Sequence, residues 1–67
     1  INKKVNFNIK SEYISIYNSL LEKEKNLDEL MVEFNINIRE LLKLLTNMEI
    51  EGIIEKDLGF YRILERD

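Results

Sequence analysis

The 67-residue chain contains no cysteine and no histidine. Neither a thiolate nor an imidazole is on hand as nucleophile, general base or metal ligand, and no disulfide framework can staple the fold. Most catalytic chemistry goes with them, so the expectation is a non-enzyme that takes no cofactor and no metal. Long apolar runs are missing too: the hydrophobic residues come in short groups, far from the roughly 20 consecutive ones that cross a bilayer, and no charged-then-apolar leader is visible. A soluble, cytoplasmic domain with no membrane partner is the natural expectation. Positive charge is also scarce. Ten Lys and Arg stand against thirteen Asp and Glu, a net charge of -3, whereas a dedicated DNA-binding domain is commonly basic. A chain of this size is one small domain that buries about 60% of its unfolded surface, and its stability is modest. It starts at Ile1 rather than Met, which fits a piece of a longer protein whose main activity lies elsewhere, or a processed or engineered chain.

What is present is best organised from Asn37 to Leu64. Ile38, Leu41, Leu42, Leu45 and Met48 follow the i, i+3, i+4, i+7 spacing of one buried helix face. Asn37 is a good N-cap, Glu40 can reach back to it, and Ile36 with Leu41 fits a hydrophobic staple. The spacing predicts a helix from Ile38 to Glu51, ended by a left-handed Gly52. Ile53 to Lys56 and Phe60 to Leu64 are β-prone, and Asp57, Leu58 and Gly59 between them read as a three-residue hairpin loop. With Tyr61 and Ile63 facing inward, Phe60, Arg62 and Leu64 face outward.

Before this unit, residues 1–10 alternate Val5, Phe7 and Ile9 with polar neighbours and read as a linker or N-terminal extension, with a short strand as the other option. From Ser11, a possible cap, the stripe Tyr13, Ile14, Ile16, Tyr17, Leu20 and Leu21 predicts a helix over about 11–23. Glu22, Lys23, Glu24 and Lys25 read as a solvated turn with no functional message. Asn26 with Glu29 repeats the capping pattern and opens a short helix from Leu27 to Phe34, with Leu27, Leu30, Met31 and Phe34 on its apolar side. Asn35 then stands where the chain needs a residue tolerant of positive φ. A short helix, a tight turn, a longer helix and a hairpin make the expected fold an α+β winged helix-turn-helix over residues 11–67, with three helices followed by a two-stranded wing.

In such a fold the third helix enters the major groove and the wing touches the backbone or the minor groove. Arg39 and Asn47 are types that read base edges, and Lys43, Lys56 and Arg62 are types that meet phosphates, so these five are the nucleic-acid candidates. Acidic residues crowd the same stretch. From Asn37 to Asp67 there are five basic residues against seven acidic ones, a balance of 5 - 7 = -2, so only weak DNA binding is expected. Ile50 lies far from the buried stripe. With Phe60, Leu64 and Leu44 it forms a candidate apolar patch for another domain or a second copy, unless the wing of its own domain covers it.

The run LLTNMEIEGIIEKDLGFYRI, Leu44 to Ile63, resembles the C-terminal winged-helix domain of the bacterial DNA-processing family DprA, also called Smf. Met48, Glu49, Ile50, Gly52 and Ile53 fill that family's L-E-L-x-G-L/I segment, with Met48 where Leu is usual. Gly59 and Tyr61 fill its Gly-containing turn and Tyr, with one Gly where two are frequent. NLDEL, from Asn26, looks like its short-helix opening, and the resemblance spans roughly residues 12–64. It implies a parent that handles incoming single-stranded DNA during natural transformation and helps load the recombinase RecA. The main single-strand site would then lie in a preceding Rossmann-like domain, and this domain would be an accessory for DNA contacts, self-association or partner docking, with Ile50 matching the second Leu of the signature.

Two other classes fit the same residues. One is the duplex-binding domain of a transcription regulator, reading sequence through Arg39, Lys43 and Asn47. The other is a homodimerisation module built on Ile50, Phe60 and Leu64.

Overall fold

A computed structural model describes residues 10–64. The alternating segment around Val5, Phe7 and Ile9 and the tail at Glu65, Arg66 and Asp67 lie outside the described residues. The chain forms a small α+β domain in the order α1 (Ser11–Glu22), β1 (Lys25–Asn26), α2 (Leu27–Phe34), α3 (Ile38–Ile50), β2 (Ile54–Asp57) and β3 (Phe60–Ile63). The three strands make one antiparallel sheet in the order β1-β3-β2, so the last strand is the central one.

The helix boundaries follow from backbone chemistry at their ends. At α2 the Glu29 N–H donates to Asn26 Oδ1 at 2.8 Å while the Asn26 N–H donates to Glu29 Oε1 at 2.9 Å, the reciprocal capping box expected. At α3 only the forward bond forms, from the Glu40 N–H to Asn37 Oδ1 at 2.9 Å. Asn35 adopts the left-handed conformation at φ 51° and ψ 51°, and its N–H donates to the Met31 carbonyl, which lets the chain turn sharply into α3. Gly52, at φ 79°, redirects the chain into β2, and the Ile53 N–H donates to the Met48 carbonyl at 2.9 Å. Ser11 is not the cap of α1. The cap position is Lys10, in extended backbone and with no side-chain capping bond to the helix, and Ser11 is already helical.

Three expectations of the hairpin region change. The sheet has three strands, because Lys25 and Asn26 pair with Tyr61 and Phe60. The segment read as a solvated turn thus supplies an edge strand. The loop has two residues, Leu58 and Gly59, because Asp57 pairs directly with Phe60, and both loop residues take positive φ, 52° and 86°. That combination closes a hairpin with the twist its strands already have.

The core gathers Tyr13, Ile16 and Leu20 from α1, Leu30 from α2, Leu41, Leu45 and Met48 from α3, and Ile53, Ile54 and Tyr61 from the hairpin. Each large apolar side chain fully withdrawn from water contributes about 1.5–3 kcal/mol. The buried stripes are narrower than the spacing predicts. Ile14 and Leu21 on α1, and Ile38 and Leu42 on α3, remain exposed at the flanks, because a small sheet covers less than the full apolar arc of each helix. Ser19 is buried in their stead, for the polar reason given below. Among the described residues, no helix is long and apolar enough to cross a membrane.

Candidate functional site

The outward side of α3 is set by helix geometry. At about 100° per residue, Arg39, Lys43, Thr46 and Ile50 fall within an arc of about 60°, opposite Leu41, Leu45 and Met48. All four are exposed, and Asn47 is half-buried beside them. Glu40 and Glu49 fall on the two flanks rather than in the stripe. The regional charge of -2 read from the sequence therefore does not describe this face.

Ion pairing sharpens the point. Arg62, in the middle of β3, is held by three carboxylates: its Nε donates to Glu55 Oε2 at 2.8 Å, with Asp57 Oδ2 at 3.5 Å and Glu24 Oε1 at 3.9 Å. The Glu55 carboxylate beside it raises the guanidinium pKa further. Glu51, just past α3, accepts from Lys10 Nζ at 3.3 Å and from the Tyr13 hydroxyl at 3.1 Å. Burial raises the Tyr13 phenol pKa, with the Glu51 bond adding to it, and the Glu51 carboxylate raises the Lys10 ammonium. Glu51 is thus held by Lys10 and Tyr13, and Glu24, Glu55 and Asp57 share the one guanidinium of Arg62, whereas among the described residues Glu40 and Glu49 on the flanks of α3 enter no ion pair. Among the described residues, Arg39, Lys43 and Lys56 are the cations with no ion pair. Lys56 lies over the Tyr61 ring at 5.6 Å from its centroid. Of the five sequence candidates, then, Arg39, Lys43 and Asn47 share one helix side, Lys56 stands on β2 with its charge uncommitted, and Arg62 is neutralised within the fold.

The apolar candidates separate. Ile50 closes the α3 stripe at 77% exposure, so the hairpin does not cover it. Phe60 stands at the turn end of β3, paired with Asp57, whereas Leu64 follows its other end and donates its N–H to the Ile53 carbonyl at 2.9 Å. Three residues of extended chain lie between them, four steps or about 13 Å. Leu64 instead lines an open hollow of about 610 Å³ with Leu20, Leu21 and Ile63, rimmed by Glu24, Glu55 and Arg62. Leu44 is half-buried against the core.

One polar cluster went unread in the sequence. Lys25 faces the core side of the sheet, level with Tyr61, and is 8% exposed. Its Nζ donates to Ser19 Oγ at 2.6 Å and to Glu33 Oε1 at 2.9 Å, and the Ser19 hydroxyl donates to the same Glu33 oxygen at 2.8 Å. Three elements, α1, β1 and α2, are tied at one point. The Lys25 ammonium, then the Ser19 hydroxyl, holds the Glu33 carboxyl below the usual range. Alternating burial across two residues carries no periodic signal, so the sequence had no means of showing it. Lys25, Ser19 and Glu33 Oε1 bond to one another in a closed triangle, which ties the three elements together. No group of three or more potential metal-ligating side chains occurs among the described residues.

Compared with known proteins, the chain matches no family model, no curated protein and no solved structure.

Proposed function

We propose that the domain is a winged helix-turn-helix that contacts nucleic acid weakly through the outer stripe of α3 and the β2–β3 hairpin. The helix, strand, helix, helix, strand, strand order and the left-handed turn at Asn35 between α2 and α3 support that architecture. The observation that carries the function is the placement of the cations that have no ion pair among the described residues: Arg39 and Lys43 lie on the outer stripe of α3 and Lys56 on β2, with Glu40 and Glu49 set to the flanks of α3 and Glu51, Glu55 and Asp57 held by Lys10, Tyr13 and Arg62. Three phosphate contacts give a slope of log affinity against log salt of about -2.7, shallow beside proteins with six to ten contacts. Such a module serves as an accessory in a cytoplasmic DNA-processing protein, of the kind the resemblance of Leu44 to Ile63 implies, in which a preceding domain holds the DNA and this one adds contacts.

Fluorescence anisotropy of labelled oligonucleotides, titrated with salt, tests this. Weak binding at low salt with a slope near three contacts, lost stepwise in Arg39→Ala and Lys43→Ala, is the expected result. Tight and sequence-selective duplex binding would favour a transcription regulator instead, and no binding at low salt would remove nucleic acid altogether. A protein-contact reading rests on Ile50, an exposed apolar side chain in line with the two cations. It gains if the chain self-associates or docks to a parent domain and Ile50→Glu abolishes that.

A further inference from the structure

The sheet has a second face that the core does not use. Cross-strand pairing sets Phe60 level with Asn26 and Asp57, and Arg62 level with Glu55, all directed away from the buried Tyr61 and Ile54. On this outer face Glu24, Glu55 and Asp57 draw on the one guanidinium of Arg62, so two negative charges are left over. Glu55 holds Arg62 closest, at 2.8 Å, while Asp57 at 3.5 Å and Glu24 at 3.9 Å are looser and leave room for a further cation. Past Glu55, at the end of the sheet away from the turn, lies the open hollow of Leu20, exposed Leu21 and Leu64. The face thus runs from acidic to apolar.

The outer stripe of α3 has the complementary chemistry in the same order. Arg39 and Lys43 have no ion pair among the described residues, and exposed Ile50 ends the stripe. The spacings agree as well. Along the helix Arg39 and Lys43 are about 6 Å apart, and Ile50 lies about 10 Å beyond Lys43. Along the sheet Asp57 and Glu55 are about 7 Å apart, and Leu64, two residues past the Arg62 that pairs with Glu55, lies about 7 Å further on with the hollow beside it. Setting Arg39 on Asp57 and Lys43 on Glu55 therefore carries Ile50 to the hollow. One molecule cannot make this contact with itself. The stripe lies opposite Leu41, Leu45 and Met48 and the acidic face opposite Tyr61 and Ile54, all in one core, so the two surfaces look away from each other.

We propose that the α3 stripe of one copy docks on the outer sheet face of the next, with Arg39 and Lys43 meeting Asp57 and Glu55 and Ile50 entering the hollow between Leu21 and Leu64. This rests on the protein-contact reading of Ile50 rather than on the nucleic-acid one, and it names the surface that Ile50 meets. Because two different surfaces join, each copy keeps one of them free and the association runs head to tail. It is weak, since the contact is smaller than a stable interface. Sedimentation equilibrium of the 67-residue chain at low salt is expected to give a mass above one chain that rises with concentration. The mass should return to one chain at about 1 M salt, where charges are screened beyond about 3 Å. Two double variants separate the surfaces: R39E/K43E on α3, and E24K/D57K on the sheet, which spares the Glu55 bond to Arg62. Each alone is expected to sediment as a single chain, because like charges then face each other. An equimolar mixture should associate again, because every stripe finds a sheet face of opposite sign, and circular dichroism melts check that both variants are folded. E24K/D57K leaves α3 intact and should still bind oligonucleotides, which tells loss of self-association apart from loss of nucleic-acid contact. A wild type that stays a single chain, or a mixture of folded variants that does not associate, overturns the inference while the nucleic-acid reading stands. If both double variants associate as wild type does and only Ile50→Glu disrupts it, the Ile50 reading stands and the pairing falls. If E24K/D57K abolishes association and R39E/K43E does not, the sheet face takes the lysines of residues 1–10 of a neighbour and the inference falls as well.

Discussion

Replacing Lys25 with methionine asks whether a buried ammonium stabilises this domain or is merely accommodated by it. Methionine keeps most of the stem and drops the charge. The Ser19 hydroxyl still has Glu33 to donate to at 2.8 Å, and the Glu33 side chain, 39% exposed, is reached by water. No acceptor is orphaned. What is lost is a pair of charge-assisted bonds, at 2.6 and 2.9 Å, and what is gained is release from the desolvation of a lysine that is 8% exposed. These oppose each other, and the net cost is about 1 kcal/mol. In a domain of this size that lowers the melting temperature by about 4–8 °C. Glu33→Ala is the opposite case. It leaves the ammonium in place with Ser19 Oγ as its close acceptor and Glu22 only at 3.9 Å, so a buried charge loses its partner. It should therefore cost more than Lys25→Met, although Glu33 is by far the more exposed of the two. The double variant should return close to the lysine variant alone. Urea unfolding followed by circular dichroism at neutral pH measures all three. A Glu33→Ala variant milder than Lys25→Met would refute the reasoning, since it would mean that the ammonium is solvated where it sits.

Three further outcomes are expected. The Glu33 carboxyl titrates below its ordinary value of 4.5, so its contribution is fully present above that pH and is lost as pH falls through its lower folded value. Thermal melts of Glu33→Gln should accordingly fall furthest behind wild type near neutrality and converge with it in acid, and a gap that widens in acid would reverse the sign. Asn26→Ala removes the acceptor of a capping box and should cost about 1 kcal/mol, read as a lower urea midpoint with an unchanged slope. Ile50→Glu, at an exposed position, should leave stability within about 0.5 kcal/mol, yet weaken oligonucleotide binding by placing a carboxylate at the end of the stripe that carries Arg39 and Lys43; unaltered anisotropy would take Ile50 out of that surface.

What the sequence made legible is what neighbours three and four places apart decide. The caps at Asn26 and Asn37, the left-handed Asn35 and Gly52, and the limits of α2 all follow from local hydrogen bonding, and all are present. Features decided by distant partners were not legible. Lys25 and Asn26 form a strand only because β3 lies beside them, and two residues are too few to show a period. The burial of Lys25 depends on Ser19 and Glu33 from two other elements, and charge normally signals the surface. The shorter hairpin loop was hidden for another reason: Leu is a poor candidate for positive φ, and reading Gly59 as the sole left-handed residue gave a loop one residue too long. For the candidate site, helix spacing showed which side chains share the outer side of α3. It could not show which charges were already spent, and the difference between Arg62 and Lys56 became visible only with Glu24, Glu55 and Asp57 in place.

The position of β3 between β1 and β2 has a bearing on how the domain assembles during synthesis. The helices and their caps rest on near neighbours, and they can begin to form while the ribosome is still at work. The sheet has no such freedom, because the strand that joins its two edges is made last. Until Phe60 to Ile63 emerge, Lys25 and Asn26 lack the backbone they pair with, Ile54 lacks Ile63 across from it, and the ring of Tyr61 is missing from the core. Long-range pairing of this sort slows folding relative to a bundle of helices. A nascent chain halted before β3 would leave the apolar sides of α1 and α3 partly bare, and closure of the domain would report that its final strand has been delivered.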